Sequence, residues 1–422
     1  MSFSPIDSPV ERVHWCANGS MLVQTADGDL LAETTGSQKG ASALQNTTDQ
    51  FGHLISVKPA LMEAASREKG RGDSSVEPFR VTKFVGWDDQ HDLVLIMTNT
   101  SLVFLTTNCG RYYKAIHFRS MPFKIAPHPI KNQVLLALIP SSHSEMTVML
   151  SKDLGDTWKA VYEGVHDVSW VYSPKLHLNT KVNPDRLIIL KHIQGRQTPQ
   201  NLYSLYYSDD LFSTTNVLLE AGTTFAITQH FIYAARVEDA NKKEVGLYVA
   251  PIDAQRYNLK KVKLPFELLR EHAYTVLEPL GRHVFIHVTH SIDEIPTGHL
   301  YVSDSTGAKF ELSAKNNIRT PQGYCDFNKA QGMEGVYIAN VYTENSLARA
   351  KAAIQQAKSV EEKAQILSHT LKKKSLITYD FGRSWQSMHI DSKFDPDPRY
   401  QARWFCCSRC NNYRCAGAVR CS

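Results

Sequence analysis

The octapeptide SKDLGDTW, residues 151–158, returns in altered form as TYDFGRSW at residues 378–385. Ser151, Asp153, Gly155 and Trp158 of the first copy correspond to Thr378, Asp380, Gly382 and Trp385 of the second. Repetition at a fixed period constrains a fold strongly, because each copy must be one supersecondary unit that buries its apolar face against the next. Weaker copies lie before and between: TTNCGRYY (Thr106, Asn108, Gly110, Tyr113), YSDDLFSTT (Ser208, Asp210) and VSDSTGAKF (Ser303, Ser305, Gly307, Phe310). VAPIDAQRY, from Val249 to Tyr257, fills a further slot without the polar signature. With the Asp-equivalent positions at 108, 153, 210, 252, 305 and 380, the intervals are 45, 57, 42, 53 and 75, the period of a four-stranded propeller blade.

A short apolar run precedes each copy: SLVFLTT, MTVMLSK, YSLYYSD, VGLYVAP, GHLYVSD and KSLITYD. These runs are rich in the β-branched and aromatic residues that suit a pleated surface, and further runs such as QVLLALIP, DRLIILKHI, HFIYAAR and RHVFIHV fill the intervals. The expected fold class is all-β, a β-propeller with about four strands per unit. In the repeated motif, Gly155 is expected to take the positive φ of a tight turn while Asp153 and its hydroxyl neighbours bond turn amides and Trp158 packs between sheets. A carboxylate held by backbone N–H groups makes a poor general acid, so Asp153 and Asp380 are read as turn builders and no catalytic residue is assigned.

The long last interval holds SLARAKAAIQQAKSVEEKAQILSHTLKKK, whose Ala, Lys, Gln, Leu and Glu predict a helical insertion at about 345–374, with Ser359 and Glu362 spaced as a capping box. Its basic face is read as solvated. Residues 1–79 are expected to form one or more partial first blades with flexible loops at GSQKGASALQNTTDQ and EAASREKGRGDSSVE, residues 80–390 the blades proper, and 391–422 an irregular Cys-rich tail.

Five of the eight cysteines crowd that tail as Cys406, Cys407, Cys410, Cys415 and Cys421, while Cys16, Cys109 and Cys325 are scattered. A zinc site at Cys407 and Cys410 lacks a regular second pair, so neither metal nor cofactor is assigned, and whether Cys109 and Cys325 are bonded stays open. The +5 formal charge is dispersed, which argues against nucleic acid as a partner. The start MSFSPIDSPVERVHWC lacks the features of a signal peptide, and no run of about 18 apolar residues is present to span a membrane. Asn18, Asn46 and Asn99 begin glycosylation sequons, which matter only in the secretory route.

The passage YCDFNKAQGMEGVYIANV followed by ITYDFGRSW resembles the hallmark segment of the sortilin family of sorting receptors. GHLYVSDSTGAKFELSAKN is similar to the preceding blade in the sorting-protein-related branch, and SLVFLTTNCGRYYKAIHFRSMPFKIAPHP and SKDLGDTWKAVYEGVHDVSWV fall in the expected order. The resemblance covers residues 80 to 390, and the tail after Trp385 looks unlike the family's next segment. It implies a ten-bladed lumenal propeller that binds peptides, propeptides or other protein cargo for transport between Golgi, endosomes and cell surface. Membrane association would come only through segments that this chain lacks. The missing pieces suggest a fragment, a truncated isoform or an incomplete gene prediction.

In the sortilin branch, an Arg meets the terminal carboxylate of a peptide that packs on an aromatic-x-aliphatic pair one blade later. The resemblance carries that pair onto Tyr274 and Val276, puts Glu244 or Val245 at the Arg position, and leaves Lys242 and Lys243 as nearby point charges. Extended peptides are also expected to suit an exposed strand edge. Two rival readings are a sialidase-like propeller glycosidase and a scaffold without peptide binding; the first lacks the Arg cluster such enzymes need, and EPFRV has an Arg without the sequel. His283, His287 and His290 are read as a solvent-facing strand row in place of metal ligands.

Overall fold

The computed structural model describes residues 9–388 apart from 18–19, 35–52, 69–77, 87–91, 142–144, 175–180, 194–201, 240–242, 268, 271–272, 278–280, 291–294, 296, 320–323, 331 and 358. The Cys-rich tail, Lys242, Asn18 and Asn46 therefore lie outside the described residues. The chain divides into two compact units. The first reaches Val217, less Gln197–Leu202, and the second comprises that segment and the chain from Leu218 onward.

In the first unit, β1 (Val10–Trp15), β2 (Met21–Thr25), β3 (Leu30–Thr34) and β4 (His53–Ser56) form an antiparallel sheet in chain order. So do β5 (Val81–Gly86), β6 (Val94–Thr98), β7 (Leu102–Thr106) and β8 (Lys114–His117). A longer meander follows through β9 (Lys124–Pro127), β10 (Leu135–Pro140), β11 (Met146–Ser151), β12 (Lys159–Trp170), β13 (Leu187–His192) and β14 (Tyr203–Ser208). Every residue of β6 and β7 is buried, which explains why these strands read as continuous apolar runs without alternation. Their two faces serve different cores. Val94, Ile96, Leu102 and Phe104 pack with Leu22 and Leu30, whereas Leu95, Met97, Val103 and Leu105 pack with Ile125, Leu135 and Ala137. Period-two side chains thus let one sheet join the sheet on either side, as stacked blades require.

One feature of this unit differs from the sequence reading, and one answers a question that reading left open. Residues 63–68 of the expected loop belong to helix α1 (Lys58–Glu68), whose Leu61, Ala64 and Ala65 enter the first core on one helical face. Cys109 bonds to Cys16, with a Cα–Cα distance of 6.1 Å, and this disulfide ties the end of β1 to the turn between β7 and β8.

In the second unit, β15 (Asn216–Ile227), β16 (Phe231–Asp239), β17 (Glu244–Pro251) and β18 (Lys260–Lys261) pair antiparallel in chain order. Its other sheet runs β19 (Tyr274–Leu277), β20 (Phe285–Val288), β21 (Thr297–Ser303), β22 (Phe310–Ile318), then β24 (Tyr337–Tyr342), β25 (Lys373–Thr378) and β26 (Gln386–Ser387), with β23 (Phe327–Lys329) beside β24. The connection from β24 to β25 carries α2 (Glu344–Ile354) and α3 (Val360–Thr370). Leu347 and Ala350 of α2 are buried with Ile318 and Tyr342, and Ser359 caps α3 by accepting the Glu362 N–H at 3.1 Å. The fold class is all-β, built of β-propeller-type meanders with a few helices.

Candidate functional site

The repeated motif closes four turns with one bonding scheme. In the first full copy, Ser151 Oγ donates to Asp153 Oδ1 at 2.7 Å and accepts the Gly155 N–H at 2.8 Å, while Asp153 Oδ1 accepts the Thr157 N–H at 2.9 Å. Thr378, Asp380, Gly382 and Ser384 repeat these contacts at 2.7, 3.0 and 2.9 Å. Thr106, Asn108 and Gly110 do so with an amide in place of the carboxylate, and Ser208, Asp210 and Thr214 do so with Phe212 in the glycine position. The leading hydroxyl is buried in every case, and the two residues after the Asp or Asn adopt positive φ.

Gly155 answers two demands at once. Its φ is +86°, and a Cβ there would lie 2.6 Å from Ile116 Cδ1. The Trp158 indole donates to the Gly155 carbonyl at 3.2 Å and packs 5.0 Å from the Phe118 ring centroid. Trp385 instead donates to Ser313 Oγ at 2.9 Å. The hydroxyl and N–H of Thr157, then Ser151, hold the Asp153 carboxyl at about 2, and Ser384 and Thr378 do the same for Asp380. Carboxylates held this way accept hydrogen bonds and are unsuited to proton donation near neutral pH.

The copy at 303 departs from the expected register. Asp304, one residue before the expected Ser305, collects the turn, accepting the N–H groups of Thr306 and Ala308, each at 3.2 Å, and the Thr306 hydroxyl at 2.8 Å. There only Gly307 takes positive φ. The segment at 252 has no hydroxyl–Asp pair; Ile252 N–H donates to the His230 carbonyl at 2.9 Å.

The histidine row is also corrected. His287 lies in β20, both faces of which are covered, and it is fully buried. Its Nε2 is 3.4 Å from the Asn317 carbonyl, Nδ1 has no hydrogen-bond partner among the described residues, and burial pulls its pKa down to about 4. His283 accompanies the Ser303 carbonyl at 2.9 Å, and the exposed His290 pairs with the Tyr301 hydroxyl at 2.6 Å.

Tyr274 and Val276 share one face of β19 by strand alternation. That face borders a cleft of about 420 Å³, whose other walls are Thr223 to Ala226 of β15, Tyr233 and Ala235 of β16, and Leu247 of β17. Among the described strands β19 pairs with β20 alone, so it is an edge strand. Leu247 also borders a second cleft of about 670 Å³ that contains Glu238, Glu244, Lys261, Phe266 and Glu267. Glu238 is bonded there by Tyr248 at 2.8 Å, Lys261 at 3.1 Å and Arg236 at 3.2 Å. Lys243 is exposed at a positive-φ position and is not part of the wall around Tyr274 and Val276. The structure thus brings Tyr274 and Val276 together with an apolar wall from three earlier strands. Motif reading missed that wall, because its residues are ordinary strand positions.

Cys325 is partly buried, and burial raises its thiol to about 12. Among the described residues no helix is long and apolar enough to cross a membrane.

A family model described as sortilin, neurotensin receptor 3, matches residues 70–416. The chain belongs to the sortilin–Vps10 family. The matched span runs beyond Trp385 into the Cys-rich tail, farther than the motifs alone indicate. Vacuolar protein sorting/targeting protein 10 of Paracoccidioides brasiliensis strain Pb03 is 23% identical to this Vps10-family chain over 413 residues, covering 92% of the chain and 26% of the relative. The protein of the same name from Pyrenophora tritici-repentis is 27% identical over 246 residues, covering 58% of the chain and 15% of that relative. The chain therefore spans about a quarter or less of the length of these relatives. Among solved structures, the β-propeller domain of the Trilobed protease from Pyrococcus furiosus matches 91% of the chain and 98% of its own at 9% identity, with a TM-score of 0.40. The family is one of vacuolar protein sorting receptors.

Proposed function

We propose that this Vps10-family chain is a cargo-binding lumenal segment of a sorting receptor that carries peptides, propeptides or proteins between Golgi and endosomes, and that it performs no catalysis. The observation that carries the reading is the cleft along β19, where an aromatic and an aliphatic side chain on an edge strand face an apolar wall of three further strands. An extended peptide can place alternate side chains against Tyr274 and Val276 while its backbone adds to the edge of the sheet. Lys243, which the resemblance offers as a point charge for a peptide's carboxylate, does not line this cleft. The self-satisfied Asp153, Asp210 and Asp380 support the absence of glycosidase chemistry, since each carboxylate already accepts bonds within its own turn.

The test is retention of a propeptide library on the immobilised chain, compared with Tyr274→Ala and Val276→Asp variants. Loss of about tenfold or more in affinity for retained peptides is expected, the effect of removing a buried aromatic anchor. No retention by the parent chain, or equal retention by both variants, overturns the cleft. Hydrolysis of a fluorogenic sialoside or glucan, abolished by changing Glu238, Glu244 or Glu267 of the second cleft, overturns the receptor reading in favour of an enzyme.

A further inference from the structure

We propose that Asn99 carries an N-linked glycan. Asn99-Thr100-Ser101 is an acceptor sequon in the turn between β6 and β7, and Asn99 is exposed. Exposure alone would be weak support, but the local bonding presents the side chain in one orientation. The Asn99 N–H donates to the Arg80 carbonyl at 3.0 Å, and Asn99 Oδ1 accepts the Arg80 N–H at 2.8 Å. The oxygen side of the amide is thus engaged with the protein, while Nδ2 has no hydrogen-bond partner among the described residues. Substitution at that nitrogen breaks no bond of the folded turn.

The hydroxyl two residues on is equally unencumbered. Thr98 Oγ1 donates to the Leu102 carbonyl at 2.6 Å and sits 2.9 Å from Thr100 Oγ1, which accepts the Leu102 N–H at 3.2 Å. Those bonds shape the turn through Thr98 and Thr100, leaving the Ser101 hydroxyl out of the network. Glycosylation and a structural disulfide belong to the same oxidising route. Cys16 and Cys109 of the same unit form such a disulfide, at the β7–β8 turn. In an antiparallel four-strand meander the β6–β7 turn lies at the opposite end from the β7–β8 turn, so the glycan stands clear of that disulfide.

In the transfer, Asn99 Nδ2 forms a bond to the anomeric carbon of an oligosaccharide donated by a lipid-linked pyrophosphate. The carbon–oxygen bond to pyrophosphate breaks, the lipid pyrophosphate leaves with the bonding pair, and the amide gives up one proton. The inference depends on passage through the secretory lumen and not on the cargo cleft, so either reading can fail alone.

The experiment expresses the full chain through the secretory route of a eukaryotic host and treats the secreted, folded protein with a peptide glycosidase in heavy-oxygen water. Aspartate labelled with heavy oxygen at position 99 is expected, with loss of one glycan's mobility shift in both Asn99→Gln and Ser101→Ala. Ser101→Ala keeps the Asn99–Arg80 bonds, so it separates glycosylation from any folding defect of Asn99→Gln. Recovery of the peptide containing Asn99 unmodified from secreted parent protein overturns the proposal, as does an unchanged glycan count in Ser101→Ala.

Discussion

Ser313 Oγ donates to the Gly382 carbonyl at 2.6 Å across 69 residues of sequence. The same oxygen accepts from the Trp385 indole at 2.9 Å, so one hydroxyl on β22 secures both the turn and the aromatic of the last repeat. Ser313→Ala removes the donor and strands the indole N–H in a partly buried place. A loss of about 1–3 kcal/mol is expected, read as a lower urea midpoint at unchanged slope.

Asp153 and Asp380 should show in the acid limb of stability. Their folded pKa of about 2 lies below the unfolded value of roughly 4, so their contribution is complete above the unfolded pKa and is lost as pH falls from about 4 toward 2. Asp153→Asn keeps the acceptor for the Thr157 N–H, as Asn108 does in its own turn for Tyr112, and should cost little at neutral pH while flattening that limb. Asp153→Ala should be the more destabilising at pH 7. Thermal unfolding from pH 7 to 2.5 distinguishes the three proteins.

His287 should act in a different window. Its folded pKa of about 4 is below the ordinary 6.5, so the unfolded chain takes up the proton first and stability is lost as pH falls from about 6.5 to 4. His287→Gln should reduce the slope of stability with pH in this range and leave the slope between pH 4 and 2 in place. Chemical denaturation across pH 7 to 4 tests it; an unchanged slope would show that His287 takes up its proton alike in the folded and unfolded chain.

Gly155→Ala should destabilise by about 1–3 kcal/mol through positive φ together with the approach of Ile116 Cδ1. Pairing it with Ile116→Val, which removes that methyl group, should recover part of the loss and appear as non-additivity in a double-mutant cycle. Strict additivity would assign the whole effect to the backbone.

The repeats were legible because the turn that each encodes is satisfied within seven residues by its own hydroxyl and carboxylate, as at Ser151 and Asp153. The copy at 303 misled by one residue because VSDSTG offers an Asp beside the expected position, and Asp304 reaches more turn amides. Helix α1 was hidden because its buried Leu61, Ala64 and Ala65 are small or few among charged neighbours. The burial of His287 was not legible because its apolar neighbours in HVFIHVTH fit a half-exposed strand as well as a covered one. The cleft escaped motif reading for a related reason. Thr223, Tyr233, Leu247 and Tyr274 meet only through strand pairing and packing, and no local spacing marks them.

The β24–β25 hairpin keeps unbroken register from Tyr337 opposite Thr378 to Tyr342 opposite Lys373, although two helices intervene between its strands. Closing a longer loop adds only about 0.6 kcal/mol for each doubling of its length, so the ladder sets the hairpin and the helices are carried by it. Leu347 and Ala350 fasten α2 to the sheet, whereas α3 has no fully buried residue and meets that core through the partly buried Leu367. The solvent-facing side of α3 is consequently a socket for foreign sequence: a fluorescent reporter or an affinity handle inserted there leaves Leu367 on its core.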